Sequence, residues 1–449
     1  MPAAPDLPLI PAGADPTGAD PNGADAAGPV CVAFSGGLDS TALLHRLASD
    51  PLQRERGLRA VHVHHGLHAD ADAWATRCVE ACAALGVPLT VRRVVVDRDA
   101  GLGPEAAARA ARRAAFADGL GDDETLALAQ HRDDQAETFL LRALRASGPE
   151  GLAAIRSWRR FANGWMWRPL LDTPRARLRA YAEAHGLRWI EDPTNADLAL
   201  DRNFVRHRVL PLLRERWPHA AAAFARSAAL AAEAADLLAA HDPGLLASVR
   251  EEVGHGLSVR RLCALAPPKR ARVLRHWVAT LGWPPLPADA IATIETQLLA
   301  APVAADRSPV HAWHGVEIRR WRGALHAVDP RHALPAGWSC DWDGRAPLAL
   351  PNGDRLALTG IDGFPSPLRV RARVGGERLL LPDREHHHTL KHVLQAHGVP
   401  PWERARLPLL VTRGDVLLAV GDTIRAEAFD QWLGAVGADL AWTRGQGHD

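Results

Sequence analysis

From Val30 onward, short β-rich runs alternate with helical patterns, and this alternation constrains the fold more than any other feature of the chain. Val30 to Phe34, Ala60 to His64, Leu89 to Val96 and Thr125 to Ala129 read as strands, with helices near 39–49, 70–86, 104–118 and 133–146 between them. Strands separated by helices are parallel, with helices on both faces of the sheet, and such sheets bind ligands beyond the carboxyl ends of their strands. The first of those ends carries Ser35-Gly36-Gly37-Leu38-Asp39-Ser40. Two adjacent glycines allow positive φ and let backbone N–H groups approach an anion, and the flanking serines add hydroxyl donors, so this turn is a phosphate cradle. It is not a Walker A loop, because no lysine follows to reach a γ-phosphate. Asp39 falls in the first turn of the next helix. The dipole favours a carboxylate there, but the carboxylate would repel pyrophosphate unless a cation such as Mg²⁺ intervenes.

At 449 residues the chain has room for two or three domains, and 47% hydrophobic residues suffice for a core in each. No apolar run reaches the length of a membrane span, and the start of the chain lacks a basic segment followed by an apolar one, so we expect a cytoplasmic protein without a membrane partner. Ala220 to Ala240 is alanine-rich, but Arg226, Glu233 and Asp236 interrupt it. Five cysteines without a Cys-x-x-Cys pair indicate neither a disulfide framework nor a zinc knuckle. His62, His64, His65 and His68 alternate along a strand and its turn without a completing ligand set, and His386 to His388 read as a solvated helix start. Residues 1–29 carry four aspartates, no basic residue and repeats of Gly-Ala-Asp; we expect a disordered tail outside the fold. The formal charge of +1 therefore understates how basic the remainder is, although a pI near 7.9 means that any RNA contact has to be argued from local patches.

A second constellation, Gln130-His131-Arg132-Asp133-Asp134-Gln135-Ala136-Glu137-Thr138, starts at the end of a strand and enters a helix. Asp134 and Glu137, three apart, project from one helical face toward the same strand ends. The phosphate loop resembles the PP-loop of the ATP pyrophosphatases, and the second segment resembles the His-x-Asp-Asp-Gln-x-Glu-Thr motif of the tRNA(Ile)-lysidine synthetases within that group. Further segments match the same family: His62 to Leu67, Glu105-Ala106-Ala107-Ala108-Arg109, Arg168-Pro169-Leu170-Leu171, Asp192-Pro193-Thr194-Asn195, and Asp201-Arg202-Asn203-Phe204-Val205-Arg206. In the C-terminal part, Gly375 to Arg378 and Pro400 to Arg404 match as well, so the likeness covers nearly all of the chain after the tail. Thr194 stands where serine is usual, a departure without chemical consequence.

The resemblance implies an N-terminal parallel-sheet PP-loop domain (adenine nucleotide alpha hydrolase-like) over 30–218. A mainly helical middle domain with a Pro/Gly-rich linker follows over 219–367, and a small α+β unit for tRNA recognition over 368–449. It implies two steps: O2 of a tRNA cytidine attacks the α-phosphate of ATP and releases pyrophosphate, then the ε-amine of L-lysine displaces AMP at C2. The target is the wobble cytidine of the CAU anticodon of tRNA(Ile). Residues 35–40 would hold ATP, Asp39 would hold Mg²⁺, and Asp39, His131, Asp134 and Glu137 would be catalytic. Lysine would meet Asp134 and Glu137 through its ammonium groups and Arg109 through its carboxylate. Either His131 or one of the acids would deprotonate the amine, whose reference pKa is about 10.4. Arg202, Asn203 and Arg206 would face the nucleotide or tRNA. Arginine patches at Arg142, Arg145, Arg156, Arg159 and Arg160, with Trp158, and at Arg369, Arg371, Arg373 and Arg378 would meet RNA phosphates. A tRNA 2-thiocytidine synthetase shares the loop but uses cysteine pairs that this chain lacks. A non-catalytic RNA-binding protein with a degenerate ATP site would not need the intact acids.

Overall fold

A computed structural model describes residues 6–9, 28–96, 104–251, 256–300, 308–382 and 386–445. The chain divides into two compact units, Met1–Ala240 and His241–Asp449.

The first unit runs β1 (Val30–Ala33), α1 (Leu38–Ala48), α2 (Pro51–Glu55), β2 (Leu58–His64), α3 (Ala71–Ala84), β3 (Leu89–Arg93), α4 (Pro104–Gly119), β4 (Thr125–Ala127), α5 (Arg132–Ala143), α6 (Pro149–Leu152), β5 (Trp158–Phe161), β6 (Gly164–Trp167) and α7 (Arg175–Ala184). The sheet order is β3-β2-β1-β4-β6-β5, parallel throughout except for the edge hairpin of β5 and β6. β1 is central and buried on both faces. Val30 and Val32 pack with Leu43, Leu44 and Leu47 of α1 and Leu178 and Tyr181 of α7, while Cys31 packs on the other face with Val61, Leu126 and Leu120. A continuous apolar strand is what two-sided burial requires. The predicted strands at 89–96 and 125–129 are shorter in the structure, because the chain turns toward the loops after Arg93 and Ala127.

Two expectations are corrected here. Asp6 to Leu9 are not a free tail: Leu7 is fully buried in the α1–α7 core, Arg46 donates to its carbonyl at 3.2 Å, and Thr173 donates to the Pro8 carbonyl at 3.3 Å. The compositional reading overlooked two leucines, Leu7 and Leu9, in a polar repeat. Residues 1–5 and 10–27 lie outside the described residues. The first unit also extends beyond 218. After α8 (Asp201–Phe204), a π-helical stretch at Val205–Val209 and α9 (Leu210–Arg216), the long α10 (Ala220–Ala239) packs on α5. Phe139 and Phe224 stack with ring centroids 5.7 Å apart, and Arg156 grips Asp236 through two 2.8 Å bonds. Pro211, which has no N–H to give, stands two residues after the end of the π-helical stretch.

In the second unit, helices Asp242–Val249, Pro267–Thr280 and Ala288–Thr293 cover a four-stranded antiparallel sheet formed by Leu257–Ser258, Val310–Trp313, Val316–Trp321 and Ala324–Val328. Trp277, Leu274 and Ile318 are fully or almost fully buried between the layers. The middle region is thus mainly helical, as expected, with a small antiparallel sheet that its helices cover. The predicted linker also carries structure: Ser339–Trp342 pairs with Leu368–Arg371, and Arg355–Thr359 pairs with Asp439–Thr443. Its prolines and glycines fill turns between strands that belong to the C-terminal sheets.

Candidate active site

The loop after β1 is held shut from within. Gly36 has φ +80°, and a Cβ there would lie 2.6 Å from Ile190 Cδ1 and 2.9 Å from Cys78 Sγ, so both conformation and space demand glycine. Ile190 N–H donates to the Gly36 carbonyl at 2.8 Å, and Ser40 Oγ donates to the Gly37 carbonyl at 3.1 Å. The Ser35 and Ser40 hydroxyls are 3.0 Å apart. Gly37 caps α1 without a side-chain acceptor, which leaves the first N–H groups of the helix for an anion.

Asp39 follows on the first turn of α1. Its Oδ2 lies 3.6 Å from His131 Nε2 and its Oδ1 lies 3.7 Å from Arg175 Nε. Burial acts to raise the pKa of this carboxyl, but His131, Arg175 and Arg206 outweigh it and hold the group below the ordinary value. Neither Asp39 Oδ1 nor Arg175 Nε nor His131 Nε2 has a hydrogen-bond partner, although all three atoms are buried. Three orphaned polar atoms at one point mark a place where something else completes the set.

His131 is fully buried and forms the N-cap of α5. Its Nδ1 accepts from the Asp134 backbone N–H at 3.3 Å, and its own N–H donates to Asp134 Oδ2 at 3.0 Å. An accepting Nδ1 leaves the ring proton on Nε2, toward Asp39. Burial works against a charged imidazole, but Asp39, Asp134 and Asp133 prevail and raise its pKa above the ordinary value.

Behind it, Asp134 and Glu137 meet two arginines from α8 and the π-helical stretch. Glu137, with no exposed surface, accepts from Arg206 Nε at 2.6 Å and Arg202 Nε at 2.8 Å; Asp134 Oδ1 accepts from Arg206 at 3.0 Å and Arg202 at 3.1 Å. The acids expected at lysine's ammonium and the arginines expected at the nucleotide are therefore paired with each other. Asn203 is spent elsewhere: its Nδ2 donates to the carbonyls of Thr194 and Asp197, which fixes the loop ahead of α8. Both protons of that amide nitrogen are used within the loop.

These groups border a cavity of about 930 Å³ over the carboxyl ends of the strands. Ser35, Gly37, Leu38, Asp39 and Ser40 line it, as do Arg109, Arg202 and Arg206, whereas His131, Asp134 and Glu137 lie behind the lining. Sequence reasoning missed Arg175, the first residue of α7, and the lining acid Glu191, whereas Asp192 stood in a matched segment without an assigned role. The signal for Arg175 was a proline-capped helix start directly after the Arg-Pro-Leu-Leu segment. In the second unit, Arg371 is mostly buried and bound to Asp415 at 3.0 Å and Glu377 at 3.3 Å, so it clamps the turn at Gly375 and is not free for RNA, whereas Arg378 is exposed. The patch at 142–160 is also largely used internally: Arg142 donates to the carbonyls of Gly151 and Ala154, and Arg156 is bound to Asp236.

A glycine cradle at the end of the central parallel strand, an aspartate on the following helix and an open cavity beyond define a PP-loop nucleotide domain. The PP-loop domain family matches residues 20–213, the TilS substrate binding domain residues 257–326, and the TilS substrate C-terminal domain residues 368–442. The chain is 56% identical to the tRNA(Ile)-lysidine synthase of Xanthomonas axonopodis pv. citri, over 92% of this chain and 94% of that one. It is 55% identical to that of Xanthomonas campestris pv. campestris (92% and 95% covered) and 52% to that of Xylella fastidiosa (92% and 95%). The chain belongs to the tRNA(Ile)-lysidine synthase family.

Proposed function

We propose that this chain joins L-lysine to C2 of the wobble cytidine in the CAU anticodon of tRNA(Ile), consuming ATP and releasing pyrophosphate and AMP. The observation that carries the reading is Asp39: a half-buried carboxylate with an orphaned Oδ1, at the mouth of a phosphate cradle and inside a cavity with room for a nucleotide. Membership of an ATP-using ligase family supports the same chemistry, and the 2-thiocytidine alternative finds no Cys-x-x-Cys to hold a cluster.

Mg²⁺ fits this donor set. It binds through one or two carboxylates and completes its shell with water and substrate phosphates, so a lone orphaned carboxylate oxygen beside the cradle is a sufficient protein contribution. When bound, the ion neutralises charge on the departing pyrophosphate. The chain's own groups do the rest. Loop N–H groups hold the phosphates, Arg175 and His131 fix Asp39, and Arg109 supplies a fork for the lysine carboxylate. We assign lysine's ammonium to Asp134 and Glu137. It reaches them when Arg202 and Arg206 swing away, so one cation replaces another and the two guanidiniums become free for phosphate.

We place the tRNA-recognition surfaces in residues 241–449 and the enzyme in the cytoplasm. Among the described residues no helix is long and apolar enough to cross a membrane. The test is incubation with ATP, labelled lysine and a tRNA(Ile) transcript carrying CAU. One lysine, one AMP and one pyrophosphate per modified cytidine is the expected result, and ATP consumption without lysine transfer overturns the reading.

A further inference from the structure

Among the described residues, nine arginines and three carboxylates line the cavity, a surplus of positive charge that the roles above leave partly unused. Arg175 answers Asp39, and Arg202 and Arg206 answer Asp134 and Glu137. Arg168, the residue after β6, has no such answer. It is only 9% exposed, and its three nitrogens donate to neutral acceptors: Nε to Gln130 Oε1, Nη1 to the Arg156 carbonyl at 2.7 Å, and Nη2 to Met166 Sδ. No carboxylate among the described residues pairs with it. A buried cation surrounded by neutral acceptors carries an unpaid desolvation cost, which an arriving anion repays.

Its neighbours have the same sign. Arg113 on α4 and Arg159 on the edge strand β5 line the same cavity, are exposed, and form no ion pair with an acid among the described residues. Burial first, then the charges of Arg159, Arg109 and Arg113, push the Arg168 pKa down to about 10, which leaves the group charged at neutral pH. Like charges are gathered here at a cost to the empty protein.

We propose that Arg113, Arg159 and Arg168 form an oxyanion subsite that holds a backbone phosphate of the RNA substrate beside the nucleotide whose base enters the cavity. Three alternatives for the same chemistry are weaker. The amino-acid carboxylate bears one charge, which the Arg109 fork alone can match. The ATP phosphates belong to the cradle after β1, and Arg168 follows β6, two strand positions along the sheet and so roughly 10 Å away. A solvated surface does not account for a guanidinium 9% exposed. An RNA backbone carries a charge on every nucleotide and can run from the exposed edge at Arg159 into the cavity.

The inference rests on the reading that this enzyme modifies tRNA, and the wild-type protein tests that separately: if it transfers no lysine to the transcript, the functional reading fails first. Arg168 is buried and a variant there risks the fold, so the exposed pair carries the test, with unchanged thermal unfolding as its control. In full-length Arg113→Gln/Arg159→Gln, affinity for the CAU transcript should fall about tenfold, and the slope of log K against log salt should become shallower by roughly 0.7 for each arginine removed. Michaelis constants for lysine and ATP should stay within about twofold of wild type. Arg168→Lys, which keeps the charge but loses the fork, should fall between wild type and the double variant. A raised lysine constant with unchanged tRNA affinity would make this the amino-acid carboxylate site, and a raised ATP constant a nucleotide site. Either result overturns the proposal, as does a double variant equal to wild type in all three measurements.

Discussion

Asp39 is held charged by His131 and Arg175, and His131 in turn by Asp39, and two predictions belong to that scale. Asp39→Asn keeps the size and removes the charge, so turnover should fall about 10²-fold or more while the fold persists, as for other preorganised electrostatic groups; near-normal turnover at saturating Mg²⁺ would remove Asp39 from the chemistry. The same pair should be visible in stability. The pKa of Asp39 is depressed, so its contribution is present above the ordinary 3.8 and lost as pH falls through the folded value; that of His131 is raised, so its contribution is complete below the ordinary 6.5 and lost as pH rises through the folded value. The stability gap between wild type and Asp39→Asn should therefore be widest between about pH 4 and pH 6.5 and shrink on either side, as urea unfolding across pH will show. For Glu137→Gln the Michaelis constant for lysine should rise more than that for ATP, because the lost charge holds an ammonium or the arginines that give way to it; equal effects on both substrates would unseat that assignment. At this scale the phosphate loop and the acids of α5 were legible, since glycine geometry and three-residue helical spacing are local. The pairing of Glu137 with Arg202 and Arg206 was not, because it depends on a helix 65 residues away returning to the same point.

Elements were legible where their period was clean and misread where composition spoke louder than pattern. Strand–helix alternation gave the parallel sheet, whereas Trp158 and Arg160 of the expected RNA patch have structural roles, which leaves Arg159 as the patch member that lines the cavity. In the structure Trp158 stacks on Trp167 at 5.6 Å and Arg160 covers the Trp165 ring at 4.0 Å, so the aromatics build the sheet edge. Helix α10 was assigned to the next domain when the boundary was placed at 218, yet it packs on α5 and α6 and holds Arg156 through Asp236. A chain ending at 218 should therefore lose about 3 kcal/mol relative to one ending at 240, a difference of roughly 10 °C in melting temperature. The N-terminal strap makes a smaller prediction: Leu7→Ala should cost about 2 kcal/mol in chemical unfolding, whereas a free tail would cost nothing.

For the molecule as a whole, the two units invite different losses. A CAU anticodon is shared with methionine tRNAs, so the pocket that receives the cytidine cannot alone separate the two classes, and discrimination has to come from other surfaces. A chain ending at Ala240 should still bind ATP, as fluorescent-nucleotide titration will show, but should bind tRNA at least tenfold more weakly and with a flatter salt dependence; undiminished transfer and preference would locate the reader in the first unit. A cut at 367 is the poorer experiment, since it strips Ser339–Trp342 of its partner strand. The tightness of the phosphate loop has a further consequence. Cys78 lies beneath Gly36, is 1% exposed, and has its thiol pushed up to about 12 by burial. Almost no thiolate exists there at neutral pH while the loop is closed, and an alkylating reagent can reach the sulfur only when the loop lifts. With exposed Cys263 and half-exposed Cys340 replaced by serine, and labelling at Cys78 told apart from that at the other buried thiols, Cys31 and Cys82, by peptide mass mapping, the slow labelling of this sulfur becomes a clock for loop opening, and it should run slower when ATP occupies the cradle.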